Sequence, residues 1–187
     1  VLAFNENGVK QWDWLAGEVN MDIFYGVCEK NNGEIIVAGY SNSFATNNDL
    51  LLVKLSTAGN LISSKIVYHN TNNTEQGLKV KATADGGYIV MGIIKTGSIN
   101  DLLLIKYNAA DNITWAKQYN IGTFYDPIDV VESNTGDLIV VGANNVAGSS
   151  DNNLFRVNQT GNVLWFKTYS TNVLERPSEV REQNGNI

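Results

Sequence analysis

Cysteine, histidine and proline are nearly absent from this sequence. Cys28 is the only cysteine and His69 the only histidine in 187 residues, and there are two prolines. A single thiol excludes an internal disulfide, and with one imidazole beside it any zinc site would have to lean on carboxylates. Charge is also sparse, at 17% of residues, and Asp plus Glu outnumber Lys plus Arg by 19 to 13, for a formal net charge of -6. The carboxylates are scattered rather than gathered in a tail, so attraction to nucleic acid or to an anionic membrane is not expected. No apolar run approaches the eighteen or so residues that would insert into a bilayer as a helix. The phosphate cradle GxxxxGK, the calcium loop DxDxDG and the nucleophile elbow GxSxG are missing. The sequence therefore calls for no cofactor, no metal and no catalytic residue that can be named.

What is present is a repeat. The segments GEIIVAG, GGYIVMG and GDLIVVG begin at Gly33, Gly86 and Gly136, 53 and 50 residues apart, and end on Gly39, Gly92 and Gly142. Each is followed by a polar stretch and then by DLLLVK from Asp49, DLLLIK from Asp101 or DNNLFR from Asp151. Five residues further come Gly59, Asp111 and Gly161, and four beyond those stand Ser63, Trp115 and Trp165. Near the start, Trp12 follows Gly8 at the same distance. Between these units an acidic residue precedes a valine by five positions: Asp22, Glu75, Asp126 and Glu175.

Each repeat thus holds four short segments rich in Val, Ile, Leu and aromatics and bounded by Gly, Asn, Asp and Thr, which is how strands and turns read. In the order A to D, the A-to-B and C-to-D connections are short and rich in Gly and Asn, as tight hairpins require. The B-to-C connections look longer, near 41–48, 96–100 and 144–150, and carry the most divergent residues. Strands B and C are apolar at almost every position, the mark of a sheet covered on both faces. Four antiparallel strands every fifty residues point to the blades of a β-propeller, ahead of a sandwich or a solenoid. The division is strands C and D of a partial blade at 1–15, blades at 21–69, 75–120 and 125–170, and the start of another at 175–187. The array is expected to be open, a piece of a longer propeller whose remaining blades are its first partners.

The set DGGYIVMG (85–92), DLLLIK (101–106) and GNVLWFKTY (161–169) resembles the propeller repeats of secreted or surface-displayed bacterial proteins. TGNVLW (160–165) is also distantly similar to blades of quinoprotein dehydrogenases, although the residues that would clamp a quinone are not found. The first resemblance implies an extracellular or cell-surface, non-catalytic repeat module. Binding of a protein or glycan is expected through the rim that carries the B-to-C loops, whose divergence suits a single asymmetric site.

The candidate residues fall into two groups. Trp12, Trp115 and Trp165 share one position and are expected to pack blade on blade, because an indole buries a large apolar area and wants one partner for its N–H. The carboxylates are the ligand candidates. In a four-stranded meander the D-to-A and B-to-C connections emerge at one end, so Asp22, Glu75, Asp126 and Glu175 should crowd one rim with Asp49, Asp101 and Asp151. Singly, each has the plainer reading of a loop-stabilising acceptor; together they would make an acidic funnel for a cationic or polyhydroxylated ligand. A glycan-active enzyme with paired carboxylates near the channel mouth, and a scaffold without ligand, are the alternatives.

Overall fold

The computed structural model describes residues 1–15, 21–43, 47–67, 73–97, 99–120, 126–146, 149–170 and 176–187. Among them there is no helix. A hairpin of β1 (Leu2–Phe4) and β2 (Lys10–Asp13) precedes three four-stranded antiparallel sheets. Sheet I runs β3 (Asp22–Glu29), β4 (Ile35–Ser41), β5 (Asp49–Leu55), β6 (Leu61–Val67). Sheet II runs β7 (Thr74–Ala82), β8 (Tyr88–Thr96), β9 (Ile99–Tyr107), β10 (Ile113–Tyr119). Sheet III runs β11 (Asp126–Glu132), β12 (Leu138–Val146), β13 (Ser149–Val157), β14 (Val163–Tyr169). Spatial order equals chain order in every sheet, so each is a plain meander.

Alternation along the two middle strands shows how the sheets stack. In β8, Tyr88, Val90 and Ile94 join Ile36, Ala38, Leu50 and Leu52 of sheet I in one core. Their neighbours Ile89 and Met91 join Val130, Leu138, Val140 and Phe155 of sheet III in a second. β9 divides in the same way, with Leu103, Ile105 and Tyr107 toward sheet I and Leu102 and Leu104 toward sheet III. The hairpin β1–β2 covers the other face of sheet I through Trp12 and Trp14. Each such fully buried side chain contributes about 1.5–3 kcal/mol, so the unbroken apolar runs of strands B and C have a direct cause: neither face meets water.

A recurring irregularity sets the twist. Strand A carries a one-residue bulge at Tyr25, Leu78 and Ile128, each just after the residue that faces the repeat glycine: Phe24 opposite Gly39, Gly77 opposite Gly92, Pro127 opposite Gly142. The bulge bends strand A onto strand B. A Cβ at Gly39 would lie 1.9 Å from the Ile23 carbonyl oxygen, and one at Gly92 2.1 Å from that of Gln76. These glycines are there because backbone occupies the space a side chain would need.

One expectation is corrected. The B-to-C connections of sheets II and III are not long loops: the ladders extend to Thr96–Ile99 and Val146–Ser149, because their polar residues pair through backbone as readily as apolar ones. In the segment expected to begin a further blade, 176–182 carry no ladder and lead into a turn bridged by Gln183 and Asn186. Burial rather than pairing holds it, since Val180 packs on Ile139 and Val141 and its N–H donates to Asp129 Oδ2 at 3.3 Å.

Gly39→Ala should destabilise the protein by about 3 kcal/mol through overpacking against fixed backbone, whereas Gly97→Ala, whose Cβ would meet nothing within 4 Å, should cost about 1 kcal/mol from its positive φ alone. Urea denaturation of the two variants checks the difference.

Candidate functional site

Pairing places Asp22, Ser41 and Asp49 in one cross-strand row of sheet I, and Glu75, Ile94 and Asp101 in the matching row of sheet II. Both rows lie at the same end of their sheets. They do not line an open funnel. Glu75 is 1% exposed, Asp49 4% and Asp101 5%. Asp101 accepts from the Gln118 side-chain amide at 2.5 Å, and the Glu75 N–H donates to the Asn48 carbonyl at 2.9 Å, tying sheet II to sheet I. Burial pushes the Asp49 carboxyl above the ordinary carboxylate range.

Asp126 is not the counterpart of Asp22 and Glu75. Phe24, Gly77 and Pro127 occupy one position, so the residue two before Pro127 is the equivalent, and that is Tyr125, outside the described residues. One residue of slip turns a strand side chain to the opposite face. Asp126 accordingly faces away from sheet II and pairs with Arg176. The slip is legible in the sequence: Asp22 and Glu75 precede their repeat glycine by 17 residues, Asp126 by 16. The adjacent Val130 and Val131 made the other count look regular. Asp151 pairs with Asn144 in the row equivalent to Asp49 and Asp101; Glu175 lies outside the described residues. Among the described residues no three Asp, Glu, His or Cys stand together to hold a metal, and burial raises the Cys28 thiol to about 11, away from thiolate chemistry.

Space and mixed chemistry occur at the opposite end, where the A-to-B and C-to-D turns meet between sheets. These turns share one geometry, a backbone pair closing three residues with the last at positive φ: Gly8, Gly33, Gly59, Gly86, Gly136 and Gly161, and, without a glycine, Asp111 at φ 61°. At two seams an indole docks on the glycine of the next unit. Trp12 covers Gly59 and its N–H donates to the Thr57 carbonyl at 2.9 Å. Trp115 covers Gly161 and its N–H donates to the Gln159 carbonyl at 2.8 Å, while the Tyr119 hydroxyl donates to the Gly161 carbonyl at 2.8 Å. Trp165 stands half-buried on the outer side of sheet III, opposite Arg156.

Beside Trp115 a groove of about 710 Å³ runs between sheets II and III. Thr114 and Thr160 supply hydroxyls, Asn134 and Gln159 amides, and Asp85, Glu132 and Lys106 charge. Lys106 Nζ binds Asp85 at 2.7 Å, and the Glu132 carboxylate accepts the Ala84 N–H at 2.6 Å. Burial opposes the charge of Asp85, yet Lys106, the Thr83 hydroxyl and the Gly87 N–H hold its carboxyl below the usual range. The lining is a paired, near-neutral polar surface with one aromatic edge.

The seam between sheets I and II is ionic. Ser63 stands where the others have Trp, and Lys30, whose side chain is 1% exposed, reaches Asp111 at 2.8 Å and Glu34 at 3.1 Å. Lys54 bridges the same two carboxylates at 2.6 and 3.3 Å. Lys30 Nζ also donates to the Ala109 carbonyl at 3.1 Å, the acceptor equivalent to those taken by the indoles at Thr57 and Gln159. An ammonium from the A-to-B turn has replaced an indole from strand D.

A family model described as "Domain of unknown function (DUF5122) beta-propeller" matches residues 30–61, from the A-to-B turn of sheet I to the first residue of β6. The chain is built of propeller blades. Among the described residues these blades form an open array, and each sheet above is one blade. No curated protein matches the chain. Among solved structures, an α-L-arabinofuranosidase (CtGH43) from Clostridium thermocellum is similar over 86% of this chain at 13% identity with a TM-score of 0.49. The chain spans 57% of that enzyme's length.

Two outcomes are expected from the blade carboxylates. The Asn32 amide, Lys30 and Lys54 depress Glu34 to about 2, and the two lysines lower Asp111 against the opposing effect of its burial. A depressed folded pKa contributes stability that is present above the unfolded value near 4.5 and lost as pH falls toward 2. Stability should therefore fall steeply between about pH 4.5 and 2, and Glu34→Gln should flatten that fall in guanidinium titrations across the window. Asp49, raised by burial, has the opposite sign, so Asp49→Asn should raise the thermal midpoint at pH 7 and lose that advantage in acid.

Proposed function

We propose that this chain is a non-catalytic binding module of a secreted or surface-displayed propeller, and that it takes a glycan in the groove between the second and third blades. The location follows the resemblance of its repeats to secreted and surface propeller proteins. The observation that carries the binding reading is the groove's lining. Hydroxyl, amide and carboxylate groups alternate around a half-buried indole, which suits a ligand that presents C–H faces and many hydroxyls but no net charge. Its volume lies within the ordinary range for small-ligand sites, about 300–1,000 Å³. Asp85 is held ionised by Lys106, and the Glu132 carboxylate is engaged by the Ala84 N–H.

One observation favours an enzyme instead. Asp49, held toward its protonated form, shares a cross-strand row with Asp22, two strand spacings or about 10 Å apart between backbones, and a proton-holding carboxyl near a second carboxylate is the arrangement of glycoside hydrolysis. Asp49 is almost wholly buried, which argues against access.

A neutral-glycan array followed by calorimetry separates the readings. Saturable binding without turnover, lost about tenfold or more in Gln159→Ala and Trp115→Phe but retained in Asp49→Asn, is the expected result. Release of reducing sugar that disappears in Asp49→Asn would overturn it in favour of the enzyme.

A further inference from the structure

The seam between the first two blades encloses a second, smaller space. At the flanking seams the indole rests on an aliphatic pair, Ile35 with Leu55 under Trp12 and Leu138 with Val157 under Trp115. Here the equivalent pair is Tyr88 and Tyr107, paired across β8 and β9 and stacked at 4.6 Å with an interplanar angle of 12°. Tyrosines fill only part of what Ser63 leaves, and a slot of about 60 Å³ remains, bordered by Lys54, Ser63, Lys65, Tyr88, Tyr107 and Asp111. That is room for several waters or a group of a few heavy atoms.

The charge left over in the slot is of one sign. Lys30 and Lys54 balance Glu34 and Asp111. The Tyr107 hydroxyl is buried and bonds to no described residue, and burial with the nearby Asp111 raises its pKa to about 12, so at neutral pH it is a donor. Lys65 sits over the Tyr107 ring at 5.8 Å and has no ion pair among the described residues. Ser63 adds a second hydroxyl. Hydroxyls both donate and accept, so the selection comes from the unneutralised ammonium of Lys65 beside the buried, unpaired Tyr107 O–H, which together favour an anionic acceptor. An indole or phenyl ring inserted from outside is excluded by the Asp111 side chain, because a Cβ at the equivalent Gly59 would lie 2.5 Å from the docked indole.

We propose that this slot binds the carboxylate group of a small ligand, held by Tyr107 Oη, Ser63 Oγ and Lys65 Nζ. The site stands apart from the groove beside Trp115 and does not depend on what that groove takes.

Acetate, its neutral isostere acetamide and inorganic phosphate, titrated at constant ionic strength and followed by amide chemical shifts, test this directly. Acetate should shift residues 63–65 and 107–111 saturably with a millimolar dissociation constant, with acetamide and phosphate at least tenfold weaker. Tyr107→Phe should weaken acetate about fivefold, the range of one hydrogen bond. Lys65→Gln, at an exposed side chain, should leave the fold intact and weaken acetate about tenfold, the range of one hydrogen bond to a charged group. No saturable shift with the unsubstituted protein, equal binding of acetamide or phosphate, or unchanged binding in Lys65→Gln would each overturn the proposal.

Discussion

Sheet II has no wet face along its two middle strands, and the rest of the structure follows from that. Its middle strands present alternate side chains to sheet I and sheet III, so the chain cannot satisfy one sheet without placing the next. Hydrophobic burial is non-directional, and stacking alone would leave each sheet free to slide or rotate on its neighbour. What fixes the stack is polar and local. The Glu75 N–H reaches the Asn48 carbonyl at one end, and an indole or an ammonium reaches a turn carbonyl at the other.

The two kinds of seam are not interchangeable. An indole on a glycine contributes apolar area and one hydrogen bond, about 1.5–3 kcal/mol for the burial. The quartet of Lys30, Lys54, Glu34 and Asp111 has less to offer in net stability, because desolvating charges offsets most of their attraction. Its effect is to distinguish neighbours. A blade presenting an indole would collide with the Asp111 side chain, and a blade presenting glycine at that turn would leave the buried Lys30 short of a carboxylate, at roughly 3–5 kcal/mol. Charge at one seam and indoles at the flanking two thus specify which blade follows which, in a chain whose apolar cores are alike.

The groove and the slot are by-products of the same repetition. Turns of identical geometry approach one another at every seam, and the space between them depends on a few side chains: Trp115 with Gly161 and Gln159 at one, Ser63 with Asp111 and the tyrosine pair at another. Divergence is tolerated there because the backbone is set by the bulges opposite Gly39, Gly92 and Gly142, which lie nearer the other end of the sheets.

Period, strand number and blade order were legible in the residues themselves, since Gly at the turns, Gly opposite the bulge and unbroken apolar runs each report a local backbone need that recurs every fifty residues. The exchange of Trp and Gly for Ser and Asp was visible too, as Ser63 and Asp111 in the aligned copies, but its meaning was not. Nothing in the linear order says that Lys30 lies against a turn some eighty residues later. The carboxylate rim misled for a related reason. Spacing located Asp49, Glu75 and Asp101 correctly at one end of their sheets, but exposure depends on what the neighbouring blade places over them, and only the packed structure buries them. Local sequence determined the blade; contacts between residues distant in the chain decided where it is open.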